Sequence, residues 1–178
     1  MNDLQKEDNK FLNSEFITNV NNIFVQLNIS IMKNDLTTID HFVDDNVFNQ
    51  LKNKLDILNS NNQTQVFDEI NIKQTTVLRI EELEEHFIGK VNITSEYISY
   101  VIDKTTKTII SGDPNLTVEK ENYLTFQKQK DTKIQKEARK CHSCGSNINI
   151  NDNGKCQYCG AIYNLENYDW VLTDLKTL

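Results

Sequence analysis

Cysteine occurs at four positions of this chain, and all four lie close together: Cys141 and Cys144, then Cys156 and Cys159. Two thiolates separated by two residues can point at one ion from a tight turn. A glycine directly after each pair, Gly145 and Gly160, lets the backbone curl so that its amides face the sulfurs. Gly154, in the run NDNG, supplies a hairpin turn between the two halves. Four thiolates around one ion leave no open coordination position, which suits a structural role and excludes hydrolysis at the metal. In a reducing compartment this spacing favours metal over disulfide.

Zinc is the expected ion, one per chain, held as a small zinc ribbon over residues 141–178. Iron is the competing ion for an all-sulfur shell, and four metal-free thiols are the bland alternative. His142, inside the first pair, reads as an exposed neighbour of a ligand. Metal binding contributes on the order of 10 kcal/mol, which for so small a unit is its folding energy. Tyr158, Ile162, Tyr163, Tyr168 and Trp170 are its expected apolar cover.

The elements that would carry this unit lie upstream. Apolar residues from Phe11 to Met32 (Leu12, Phe16, Val20, Ile23, Phe24, Leu27, Ile31) recur at spacings of three and four, predicting a long amphipathic helix. A short helix over LTTIDHF, capped by Asp35, should follow. A third, capped by Asp44 or Asp45, has the stripe Val47, Phe48, Leu51, Leu55 and Leu58, and the polar run 59–62 stops it. From about Val66 the pattern changes to period two through Ile70, Ile72, Val77, Ile80, Phe87, Val91, Ile93, Tyr97 and Val101, which predicts long strands. DKTTKT (103–108) reads as a hairpin connection, SGDP (111–114) as the end of the return strand, and Val118, Leu124 and Phe126 as a last strand. Helices followed by adjacent strands give an α+β fold, N-terminal helices packed on a curved antiparallel sheet. The boundaries that follow are 1–128 for this domain, with 1–10 disordered, 129–140 for a linker, and 141–178 for the ribbon.

The net charge of −7 argues against a general nucleic-acid binder. It is unevenly spread: 11 Lys/Arg against 20 Asp/Glu in 1–127, 6 against 2 in 128–140, and 2 against 4 in 141–178. The basic segment is a solvated linker or a short exposed helix, and is the one part suited to weak contact with an anionic membrane. The first residues lack the pattern of a secretory signal and no run is long and apolar enough to span a bilayer. A cytoplasmic location is expected, with peripheral contact at the inner face of the membrane as its extension.

The segment SEYISYVIDKTTKTIISGDPN followed by ENYLTFQK resembles the Tim44-like domain family. The match lies in Asp103, Ser111, Gly112, Asp113, Pro114, Tyr123 and Phe126, together with the long first helix and IDHFVDDNVFNQL. The ribbon followed by YDWVL, Tyr168 to Leu172, is similar to the bacterial subgroup of zinc-ribbon domain-containing transport proteins. The resemblance implies a cone of the nuclear-transport-factor-two-like kind, a curved sheet wrapping helices around an apolar pocket. It also implies a link to protein transport or membrane-associated assembly. Tethering of a chaperone motor is not implied, because the long basic recruitment region of the mitochondrial relative has no counterpart here.

Three functions compete. The first is a non-enzymatic binding or scaffold module for a protein or peptide partner, with no catalytic residue. The second is a nucleic-acid-reading ribbon, disfavoured because Lys155 and Lys176 are the only basic residues of 141–178. The third is an isomerase or dehydratase on the cone, for which Asp40, His41, Tyr97 and Tyr100 are the only suppliers of acid–base chemistry.

Overall fold

The computed structural model describes residues 3–40, 42–130, 139–140, 147–148, 158 and 170–177. Helix α1 runs Asp3–Lys33, and the predicted stripe is its buried face: Phe16, Val20, Ile23, Phe24, Leu27 and Ile31 are all inside. It begins at Asp3. Asn34, with φ 54°, ends the helix in the left-handed conformation that asparagine tolerates, and Asp35 N–H returns to the Ser30 carbonyl.

The Asp35 cap forms, but its helix does not. Asp35 Oδ1 accepts from the Thr37 backbone N–H and hydroxyl. Asp40 N–H reaches Leu36 O, and the chain goes no further than turns. The β-branched run Thr37–Thr38–Ile39 opposes propagation, and Ile39 is instead buried completely. Helix α2, Asp45–Ser60, follows the prediction. Asp44 Oδ1 accepts from Val47 N–H at 2.8 Å, and Val47, Leu51 and Leu55 are buried.

Three long strands follow, β1 (Gln63–Glu82), β2 (His86–Asp103) and β3 (Ile109–Gln129), and a fourth, β6 (Val171–Thr177), joins them in the antiparallel order β1-β2-β3-β6. Two-residue strands β4 (Arg139–Lys140) and β5 (Asn147–Ile148) pair separately. Alternation puts Val91, Ile93, Ser95 and Tyr97 of β2 on the helix side, with Asn122, Leu124 and Phe126 of β3. Register shifts in β1 at Asp68/Asn71, Ile72/Gln74 and Val77/Arg79 bend so long a ribbon. At the β2–β3 turn Asp103 Oδ1 accepts from the Thr105 and Thr106 backbone N–H groups.

SGDP does not end a strand. Gly112 pairs with Tyr100 and Thr117 with Ile98, so residues 113–116 bulge opposite Ser99 while β3 continues. Pro114 lacks an N–H for the ladder and is tolerated because the bulge asks for none. Gly112, at φ +84°, allows the close crossing, since a Cβ there would lie 2.5 Å from Ser99 O.

The largest correction concerns residues 170–177, which sequence analysis assigned to the ribbon. They belong to the main sheet. β6 pairs with β3 from Asn122↔Thr177 to Gln127↔Val171, and Leu172 N–H donates to Phe42 O while its carbonyl accepts from Asp44 N–H. Trp170 is buried against Phe16 and Phe87. The cysteines therefore lie in an insertion between two neighbouring strands. The basic segment also starts later than position 129. Gln129 pairs with His86, and Lys130 donates to Glu85 O through its backbone and pairs with Glu82 through Nζ at 2.6 Å.

Candidate functional site

Between α1, α2 and the helix-covered face of the sheet lies a cavity of about 350 Å³. α1 contributes Phe24, Leu27, Asn28 and Ile31; α2 contributes Gln50, Leu51 and Lys54; the strands add Phe67, Tyr97, Asn122 and Leu175 among others. Its wall is half polar, whereas the cone was expected to enclose an apolar pocket. The polar share comes from Gln65, Ser99, Asn122 and Thr177 on the strands and from Asn28, Gln50 and Lys54 on the helices.

Most of those polar groups are committed to one another. Asn122 donates through Nδ2 to Ser95 Oγ at 3.0 Å and Ile93 O at 3.2 Å, and its Oδ1 accepts from the Thr177 hydroxyl at 2.9 Å. Gln65 Nε2 donates to Ser99 Oγ and Tyr100 O. Others are not. Tyr97 is 8% exposed and packs edge-on against Phe67, centroids 5.5 Å apart; burial pushes its phenol pKa up. Lys54, an exposed residue of α2, lies across from it with its Nζ 5.7 Å from the Phe67 ring centroid. Burial of that ammonium holds its pKa below the ordinary lysine value.

Cys141, Cys144, Cys156 and Cys159 lie outside the described residues, as does His41. Among the described residues no cluster of His, Cys, Asp and Glu could hold a metal. The nearest described structure is the β4–β5 pair, in which Lys140 faces Asn147 and Arg139 faces Ile148, so that a hairpin brackets the segment holding the first two cysteines. Of the three described acid–base candidates, Tyr97 alone lines the cavity. Asp40 stands in the turn before α2 and Tyr100 pairs with Gly112 at the bulge.

The family model of the Tim44-like domain matches residues 1–138. The chain belongs to the Tim44-like domain family. The matched range takes in both helices and β1 to β3, the elements that form most of the cavity wall, and ends before β6. Tim44-like domains are associated with protein or membrane partners, and the family points to a role in protein transport or at a membrane. No curated protein matches the chain. Among the described residues no helix is long and apolar enough to cross a membrane.

The cavity residues of this Tim44-like domain that sequence reasoning missed include Asn28, Lys54, Gln65 and Asn122. Asn28 did leave a signal, being a polar residue flanked by Leu27 and Ile31 on the buried face of α1. Lys54 left none, since a lysine on the flank of an amphipathic helix is ordinary.

Proposed function

We propose that this Tim44-like chain is a non-enzymatic binding or scaffold module that serves protein transport or membrane-associated assembly and engages its partner at the concave cavity. The supporting observation is the composition of the cavity. Apolar side chains stand beside amides, two hydroxyls, one phenol and one ammonium, and the described lining holds no carboxylate or histidine to act as a general base. A genetically encoded photo-crosslinker at Gln50, on the cavity wall, should capture a discrete protein from native extract, whereas the same group at Lys52, exposed on the opposite face of α2, should not. Equal capture at both positions would refute the reading.

We also propose that Cys141, Cys144, Cys156 and Cys159 hold one structural zinc in a ribbon that the domain carries as an insertion after β3. The bracketing of the first pair by β4 and β5 suits a ligand knuckle at a hairpin tip, and the four soft donors suit zinc. Bound zinc would supply no chemistry beyond cross-linking the segment. In this reading the protein is cytoplasmic. Lys133, Lys136, Arg139 and Lys140 then give a weak, salt-sensitive attraction to the anionic inner face of the membrane. Vesicle co-sedimentation at low salt should be lost when Lys133, Lys136 and Arg139 become Gln.

A further inference from the structure

We infer that the cavity binds a small monocarboxylic acid with an apolar body, its carboxylate received by Lys54, Tyr97 and Asn28. The assignment rests on the binding-module reading of the same cavity and adds the chemical class of its ligand.

Buried polar groups in folded proteins are nearly always hydrogen-bonded, and one left over points to water or to a ligand. Two such side chains line this cavity. Asn28, 7% exposed, donates through Nδ2 to Phe24 O of its own helix at 2.9 Å; its second amide hydrogen and its Oδ1 have no partner among the described residues. Tyr97, 8% exposed, has a hydroxyl without a hydrogen-bond partner among the described residues. Lys54 adds an ammonium without a carboxylate partner there; it meets only the Phe67 ring. The amide hydrogens of Asn122 and Gln65, by contrast, are spent on Ser95, Ile93, Ser99 and Tyr100.

The unspent capacity is therefore mostly donor: a phenol O–H, an amide N–H and the three N–H bonds of an ammonium. A donor-rich wall with one cation matches an acceptor with one negative charge, and the partial desolvation of Lys54 is relieved when that charge arrives. A phosphate, with up to two charges, would call for a second cation, and the described lining has none. Leu27, Ile31, Leu51, Phe67 and Leu175 form the surface for the apolar body. The volume of about 350 Å³ stands near the lower end of the roughly 300–1,000 Å³ typical of ligand pockets, which suits a small molecule.

The test is calorimetric titration of the full chain with 4-phenylbutyrate, with the isosteric alcohol 4-phenylbutan-1-ol, and with a short peptide ending in a free leucine carboxylate. The acid should bind at least tenfold more tightly than the alcohol. Lys54→Met, at an exposed residue, should bring the acid to the level of the alcohol without unfolding the protein, and Tyr97→Phe should weaken the acid several-fold while leaving the alcohol unchanged. Equal binding of acid and alcohol, or a preference that survives Lys54→Met, overturns the assignment. Failure of both small probes to bind the folded chain, with the cavity filled by water, overturns it too. Binding of the peptide alone overturns the small-acid assignment while preserving the binding-module reading. Failure of every probe beside successful crosslinking at Gln50 separates the two in the same way.

Discussion

Phe16 and Trp170, one on the first helix and the other just before the last strand, lie with ring centroids 4.4 Å apart and planes tilted by 45°. The Phe16 ring also meets Phe126 edge-on at 5.8 Å and covers Gly89, where a Cβ would come within 2.4 Å of Phe16 Cζ. One side chain of α1 is thus held by β2, by β3 and by the approach to β6. The four-stranded sheet and the helix that seals it share a single aromatic joint.

Gly89→Ala should destabilise the fold by about 1–3 kcal/mol, the usual cost of overpacking a filled core. Urea unfolding followed by far-UV circular dichroism measures it. Phe16→Leu in the Gly89→Ala background should recover part of the loss, because the smaller side chain vacates the space the new methyl needs, so the two changes should be clearly non-additive. Additive losses would mean that Phe16 does not set the packing at Gly89.

Trp170 is the only tryptophan of the chain, and it is buried. Its native emission should be blue-shifted and should be lost in the same urea transition as the helical signal. Trp170→Ala should cost about 3–5 kcal/mol, as for other buried aromatic truncations. Two separate transitions would place this residue in a unit of its own.

How far the fold was legible follows from where its information lies. Periodicity of three and four reported α1, and the Asp44 cap with the Val47–Leu51–Leu55 stripe reported α2, because in both cases burial on one face is written locally. Period two reported β2 as clearly. Pro114 misled, since its missing N–H ends a ladder only where the ladder needs that donor, and the bulge opposite Ser99 does not. Trp170 and β6 misled for a different reason. Proximity to the cysteines suggested membership in their unit, whereas pairing of Gln127 with Val171 is a long-range fact that no local pattern carries. The cavity was the least legible part. Lys54, Tyr97 and Asn28 sit on three elements, and only the packing of those elements brings them around one cavity.

Asn122, 2% exposed, joins Ser95 on β2 to Thr177 on β6 through its side-chain amide. Asn122→Ala should cost about 1–3 kcal/mol, because the Ser95 and Thr177 hydroxyls lose their partner together. Thr177→Val in that background should restore some stability by removing one of the stranded groups. Chemical denaturation of the two single variants and the double variant closes the cycle.

Lys54 makes stability depend on pH in a calculable direction. Burial depresses its pKa in the folded state. Between that value and the ordinary 10.5 the unfolded chain therefore binds more protons, and stability rises with pH. Below the window the folded protein carries a charged ammonium against an apolar wall. Lys54→Met should therefore be more stable than the wild type at neutral pH, with the difference shrinking as pH rises through the window. Tyr97 acts in the opposite sense above its ordinary value of 10.0, but it does so in both proteins and cancels in the comparison. Urea unfolding of both proteins at about pH 7, 9 and 10 tests the sign, and a difference that grows with pH would contradict it.

Metal removal should have a small effect on the sheet, and the reason is topological. The chain leaves β3 after Gln129 and re-enters beside it at Val171, which is paired with Gln127, so the insertion starts and ends at neighbouring points. If zinc cross-links the insertion through the four cysteines, Cys156→Ser turns a stapled connection into a flexible loop. Loop-closure entropy grows only as the logarithm of length, about 0.6 kcal/mol for each doubling. The expected loss is therefore about 1 kcal/mol, read as a drop of roughly 2–4 °C in the melting temperature for a chain of this size. Elemental analysis should find about one zinc per wild-type chain and less than half an equivalent in the variant, while Trp170 keeps its blue-shifted emission. Loss of that emission on chelation would show that β6 needs the metal unit in order to dock. A wild-type chain that holds less than half an equivalent of zinc after metal-replete purification would remove the ribbon itself.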